Sequence, residues 1–308
     1  MFAYVIRRVV GSVPTLFALT VITFFMMRVA PGGPFSGSRR ITKDALANIE
    51  RAYHLDEPLW LQFARYIWGL LHFDFGPSMT YRDYTVSELI RAGFPTSLEV
   101  GLWAMLLASV TGIALGIAGA LRRNHPIDYI AGAVAMTGLA IPIFVIGPVL
   151  QLTFGHGHGL GWLPLTDWPG DLPHKIMPVV TLALPNIAYV SRLMRGSMIE
   201  TIRANYVRTA RAKGIGEWRT IARHAFKGAI LPVVAYLGPA TAITITGSIV
   251  VEQIFQIPGI GRHFVTAATN RDYPLMLGVT LFYGAIVIFA NLLTDIVRGL
   301  IDPKVSYE

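Results

Sequence analysis

Cysteine is missing altogether from the 308 residues, which excludes a disulfide framework, thiol catalysis and a thiolate zinc site. Charge is scarce: Asp, Glu, Lys and Arg make up 14% of the chain, against about 25% in soluble domains. The dipeptide Gly-Lys occurs nowhere, so the chain carries no phosphate-binding loop of the form G-x-x-x-x-G-K-[ST]. The apolar runs also lack a catalytic dyad. Ser109 and several threonines lie in them, with no His or paired Asp beside them, which disfavours an intramembrane hydrolase.

What is present is apolar surface. Hydrophobic residues account for 53% of the chain and the mean hydropathy is +0.52, the composition of a membrane protein. The net charge of +8 is spread between long apolar stretches, so it reads as a topology signal and not as a nucleic-acid surface. Thirty Gly, 19 Pro and ten Met suit helices that pack closely and break at defined points.

Crossing about 30 Å of hydrocarbon takes roughly 20 apolar helical residues. Six stretches qualify: Val9–Ala30, Leu98–Leu121, Tyr129–Phe154, Ile176–Met194, Ala229–Ile254 and Leu275–Leu300. The first follows Arg7 and Arg8 and lacks a small-x-small cleavage site, so it is expected to be a span and not a removed leader. With the amino terminus inside, the inner segments collect Arg122, Arg123, the run from Arg192 to Lys227, Arg298 and Lys304. The short outer loops hold only Lys175, Arg262 and Arg271. Both termini are therefore expected in the cytoplasm.

Residues 31–97 are expected to form an extracytoplasmic subdomain with helices over Lys43–Tyr53 and Leu59–Leu71, the second starting at Pro58. Trp60, Phe63, Trp68, Phe73 and Phe75 would lie at interface height. Ala108, Gly112, Gly116 and Ala120 repeat at spacing four and place a smooth stripe for a neighbouring helix. Pro142, Pro148, Pro178, Pro185, Pro232 and Pro239 are expected to kink or break the spans.

Ionisable residues in the spans are few. Asp295 and Arg298 can pair on one helix face, while Arg28, Glu99, Arg192, Arg195 and Glu252 are expected to reach the interface by snorkelling. Thr241, Thr244, Thr246 and Ser248 are expected to line an inner passage. The pair His156 and His158 has no evident third metal ligand.

The longest inner segment, 196–228, reads as two helices broken at Gly214. Ser197 would cap the first with Glu200, and Ile199, Ile202, Tyr206 and Ala210 would form its apolar stripe. Ala210, Ala212 and Gly214 leave its end blunt, fit for a groove on another protein. Arg219, Arg223 and Lys227 would face lipid phosphates from the second helix.

Thr209-Ala210-Arg211-Ala212-Lys213-Gly214, followed after a helix by Ile230-Leu231-Pro232, resembles the EAA motif of importer permeases in the ATP-binding cassette superfamily. It takes the form used by the peptide and nickel branch, with Thr209 where many members have Glu and a longer gap to the Pro. Other matching strings are Ala30-Pro31-Gly32 with Pro34-Phe35, Tyr53-His54-Leu55-Asp56-Glu57-Pro58, Asp74-Phe75-Gly76-Pro77-Ser78, Arg195-Gly196-Ser197-Met198, Ile257-Pro258-Gly259-Ile260-Gly261, Asn270-Arg271-Asp272-Tyr273 and Asp302-Pro303-Lys304. Together they resemble the oligopeptide members over essentially the whole length.

The resemblance implies an all-α integral membrane protein, a six-span type-I importer permease bundle with an extracytoplasmic subdomain after the first span. It divides the chain into 1–30 (inner terminus and first span), 31–97 (subdomain), 94–295 (shared core) and 296–308 (inner tail). It implies a bacterial inner-membrane permease for oligopeptides that is not itself an enzyme and holds no cofactor of its own. Its expected partners are a second homologous permease, two ATPase subunits that bind ATP and Mg, and a periplasmic or lipid-anchored peptide-binding protein. Thr209, Ala210, Arg211, Ala212, Lys213 and Gly214 would be the coupling helix seated in an ATPase cleft. The alternative, an ion-coupled carrier working alone, would require buried mid-span carboxylates and an internal repeat, and neither is clear in the sequence.

Overall fold

A computed structural model describes residues 2–29, 43–81, 83–157, 159–165 and 168–301. The expectations placed on residues 30–42, His158 and the tail from Asp302 lie outside the described residues. The described chain is almost wholly helical, with two isolated β-bridges, Pro77 to Thr85 and Gly155 to Leu163. The helices are α1 (Phe2–Val29), α2 (Lys43–Ala52), α3 (Leu59–Leu71), α4 (Val86–Leu121), α5 (Pro126–Ala140), α6 (Ile143–Phe154) and α7 (Leu172–Ile202). They continue with α8 (Asn205–Ala212), α9 (Glu217–Thr220), a π-helical turn (Ile221–Ala225), α10 (Phe226–Ala229), α11 (Leu231–Thr246), α12 (Ile249–Ile254), α13 (Ile260–Asn270) and α14 (Tyr273–Ile301).

Among the described residues five segments are long and apolar enough to cross a bilayer: Ile6–Val29, Val86–Leu121, Leu172–Ile202, Leu231–Ile254 and Tyr273–Ile301. The expected third span differs. It is two shorter helices, α5 of 15 residues and α6 of 12, parted at Ile141 and Pro142. Pro142 has no N–H to donate and holds an extended ψ of 143°, so it starts α6 and cannot continue α5.

The chain divides into two compact units. One comprises residues 1–8, 97–258 and 286–308, the other 9–96 and 259–285.

The larger unit is organised on α7, which packs against α5, α6, α10 and α11. Asp171 caps α7, accepting from the His174 backbone N–H and meeting the His174 ring, and Pro173 sits in the first turn. The predicted small stripe of α4 is buried, and it explains how α7 comes so near: a Cβ at Gly112 would lie 2.7 Å from the Val190 Cβ, and one at Gly116 2.7 Å from the Ser191 carbonyl oxygen. Val190, Met194 and Met198, at spacing four on α7, are all fully buried.

That stripe also explains where the Ser197 boundary fails. Gly196 to Ile202 belong to α7, whose buried face runs on through Met198, and the chain breaks at Arg203 and Ala204 instead.

In the smaller unit, Leu89, Ile90, Ile260, Leu275 and Val279 make one core cluster. Phe24, Met27, Tyr273 and Leu277 make another, edged by Phe63 and Tyr66. Helices α2 and α3 begin and end within a residue of their expected bounds, with Pro58 as the N-cap of α3. Asp272 is fully buried and ties two segments together. It accepts from Ser78 Oγ at 2.5 Å and from the Thr80 backbone N–H at 2.9 Å, and it caps α14 through the Leu275 N–H.

Candidate functional site

The segment 196–228 is built as the end of α7, α8, a tight turn, α9, the π turn and the start of α10. Ala204, extended at ψ 149°, starts α8 without a side-chain cap. Gly214 takes φ +77° with open space around it, so its left-handed conformation, and not crowding, calls for glycine. Two bonds fasten the turn: Arg211 Nη2 donates to Glu217 Oε1 at 2.7 Å and its Nε to Oε2 at 3.0 Å. The Arg211 guanidinium holds the Glu217 carboxyl below the usual carboxylate range.

The six motif residues divide by exposure. Thr209, Ala212, Lys213 and Gly214 are exposed, Arg211 is half-buried, and Ala210 is 5% exposed and packed inward with Val207. The buried stripe of α8 is thus Val207 and Ala210. Tyr206, expected on it, is 51% exposed, because the break after Ile202 resets the helical phase. Trp218 is 77% exposed beside this face, a large apolar side chain that the motif did not single out. Arg219, Arg223 and Lys227 are all exposed, as expected.

Asp295 and Glu252 are placed differently from expectation, and Glu99 and Arg195 carry ion pairs that the sequence did not show. Asp295 pairs with Arg8 Nη2 at 3.0 Å and not with Arg298. Glu252 is 1% exposed, so it does not reach the interface. Its Oε1 accepts from Ser97 Oγ at 2.7 Å and Ser248 Oγ at 2.5 Å. Glu99 receives Lys175 Nζ at 2.5 Å. Arg195 forks onto Asp128, a buried residue that sequence reasoning missed; a lone acid opening an apolar helix was the available signal.

Of the hydroxyls expected along a passage, Thr244 and Ser248 are buried within the protein and Thr241 and Thr246 are half-buried. Thr241 and Thr246 bond carbonyls of their own helix, Thr244 is buried and receives the Asn186 amide, and Ser248 is bound to Glu252. Among the described residues no group of three His, Asp or Glu side chains is gathered for a metal ion. Gly157 forms a turn at φ +79°.

Apolar, proline-broken helices with a basic, partly exposed helical elbow are the build of a multi-pass integral membrane protein. Residues 112–307 match the model of the binding-protein-dependent transport system inner membrane component, and residues 1–98 match the N-terminal model of such membrane components. Over 308 residues, all of both chains, the sequence is 47% identical to the oligopeptide transport system permease protein OppB of Salmonella typhimurium and 46% identical to OppB of Escherichia coli K12. It is 38% identical over 306 residues to the dipeptide transport system permease protein DppB of Bacillus subtilis, 99% of this chain and 98% of that one. The fold resembles the MetNI methionine ABC transporter in its inward-facing form, with a TM-score of 0.56 at 14% identity over 70% of this chain and 97% of the other. An amino acid ABC transporter structure gives 0.50 at 18% identity, covering 71% and 95%.

The chain belongs to the family of inner membrane components of binding-protein-dependent transport systems. It is a multi-pass membrane permease subunit of the ATP-binding cassette type and works with ATPase and substrate-binding partners. The chemistry of ATP hydrolysis lies in those partners.

Proposed function

We propose that this permease is one half of a passage for oligopeptides across a bacterial inner membrane. The other half is a second homologous permease; two ATPase subunits dock on the inner face and bind ATP and Mg, and a periplasmic or lipid-anchored protein delivers peptide. Both termini lie in the cytoplasm, the segment 31–97 lies outside, and α5 with α6 make the sixth crossing as a hinged pair within the core 94–295. The full-length likeness to OppB is the observation that carries the reading.

The elbow Thr209, Ala210, Arg211, Ala212, Lys213 and Gly214 is the coupling segment. Its exposed small and basic residues present a blunt end, and the Arg211–Glu217 fork fixes the angle of that end, so that closure of the ATPase pair is transmitted to the spans. Ala210, being buried, holds the elbow to its own chain, while Thr209, Ala212 and Lys213 meet the partner.

The test is purification of the tagged chain from membranes in mild detergent, with identification of co-purifying chains and an ATPase assay with and without peptide-loaded binding protein. Recovery of a second permease and two ATPases, with stimulation by the loaded binding protein, is the expected result. Ala212→Glu forces a charge into the docked face without touching a buried position, and is expected to abolish ATPase recovery while leaving membrane insertion intact. A chain that purifies alone and transports under a proton gradient without ATP would overturn the reading.

A further inference from the structure

The smaller unit contains a cavity of about 270 Å³ between the end of α1, α3 and the start of α14, lined by Arg28, Gln62, Tyr66, Phe75, Tyr273 and Leu277 among others. It is several times the volume of a water molecule. Its floor is a fixed cation. Gln62, 8% exposed, is locked by donating its amide to the carbonyls of Leu55 and Glu57, and its Oε1 accepts from Arg28 Nε at 3.0 Å. The Phe24 ring lies 3.5 Å beneath the guanidinium carbon, and Nη1 leans 3.4 Å from the Phe24 carbonyl.

Arg28 forms no ion pair with a carboxylate among the residues whose side chains are described. The other charged groups lining this cavity have partners of their own. Arg65 and His54 both pair with Glu57, and Asp74 accepts the Gly76 N–H. The neighbouring residues 30–42 contain no Asp or Glu. A half-buried guanidinium held by neutral oxygens and an aromatic face, without an anion among the described side chains, is poorly compensated. The same cavity holds a second unmet group, the Tyr66 hydroxyl, which is buried and without a hydrogen-bond partner among the described residues. Burial pushes the Tyr66 phenol up, so it remains a donor at any physiological pH.

We propose that this cavity binds the phosphate of an anionic phospholipid, with Arg28 forking onto its oxygens and Tyr66 donating a hydroxyl hydrogen bond. Phosphate, with three free oxygens, accepts a planar fork and a further donor at once, as a carboxylate also can. A lipid is the source that the surroundings favour. The last turn of α1 exposes Met26 and Val29, and α3 exposes Trp60 and Trp68, the side chains of a membrane surface. Phe75, Tyr273 and Leu277 give the glycerol and first methylenes an apolar wall.

The experiment is native mass spectrometry of the full chain, purified with its partner subunits and titrated with phosphatidylglycerol, phosphatidylcholine or inorganic phosphate. One phosphatidylglycerol is expected to stay bound, Arg28→Gln to weaken it by at least about tenfold, and Tyr66→Phe by about three- to tenfold. Inorganic phosphate at equal concentration is expected not to displace it. Should Arg28→Gln fail to assemble, Tyr66→Phe, which removes a single oxygen, decides alone. Unchanged retention in Tyr66→Phe, equal binding of phosphatidylcholine, or displacement by inorganic phosphate would each overturn the assignment.

Discussion

Asp128 and Arg195 meet fork to fork: Arg195 donates from Nε to Oδ1 at 2.5 Å and from Nη2 to Oδ2 at 2.7 Å, joining α5 to α7. The carboxylate also takes the Asn124 N–H at 3.1 Å, so one acid closes the turn before α5 and fastens the helix that follows. Asp128→Asn is expected to cost about 1–3 kcal/mol. Arg195→Lys should restore little, because an ammonium cannot match both oxygens. Thermal unfolding of the detergent-purified complex measures both, and an Asn variant as stable as the parent would refute the claim.

Gly116 lies where a Cβ would stand 2.6 Å from the Met194 Cβ, 2.7 Å from the Ser191 oxygen and 3.0 Å from the Arg195 nitrogen. Two of those neighbours are backbone and cannot swing aside. Gly116→Ala should therefore destabilise the α4–α7 contact by about 1–3 kcal/mol despite improving helix propensity. Gly132, with nothing within 4 Å, is the control at which Ala should be neutral or stabilising.

Glu252 offers a discriminating pair of substitutions. Gln keeps an oxygen for Ser97 and Ser248, whereas Leu takes away the buried acceptor they share and leaves Ser248 to the Ile245 carbonyl at 3.2 Å. Leu is expected to be the more damaging by about 2–4 kcal/mol, read as a difference in unfolding midpoint. Equal midpoints for Gln and Leu would show that the serines are satisfied without it.

The Arg211–Glu217 fork predicts a pH response of the elbow. Because the folded carboxyl titrates below its unfolded value, the pair contributes fully above the ordinary carboxylate range and fades as pH falls through the depressed folded value. Hydrogen exchange over 205–217, corrected for intrinsic rates, should lose protection as the medium is acidified below the carboxylate range, and Glu217→Gln should remove that dependence. Glu217 is mostly exposed, so the change is confined to this turn.

Legibility in the sequence followed the range of the interaction. Spacing along one helix revealed the Ala108–Ala120 stripe, the bounds of α2 and α3 and the left-handed Gly214, all settled within a few residues of themselves. Asp295 shows the limit. Its i+3 neighbour Arg298 was the visible partner, yet Arg8, at the other end of the chain, is the one that reaches it. Glu252 and Asp128 likewise depend on residues brought in by tertiary packing, which a single sequence does not display. The Ser197 capping box failed because a local signal competed with a buried apolar face that carries α7 past it.

The π turn at Ile221–Ala225 gives a meaning to a periodicity. Ile221, Ala225, Ala229 and Val233 repeat at spacing four and are all buried, while Arg219, Arg223 and Lys227 keep the same spacing on the exposed side. On an unbroken α-helix each step of four residues overshoots a full turn by about 40°, so three steps would carry Val233 far round from Ile221. The wider turn, followed by the break before Pro232, absorbs that overshoot and lets both rows run straight. The unwound turn thereby keeps Ile221, Ala225, Ala229 and Val233 in one buried cluster with Val190, Met194 and Met198 of α7.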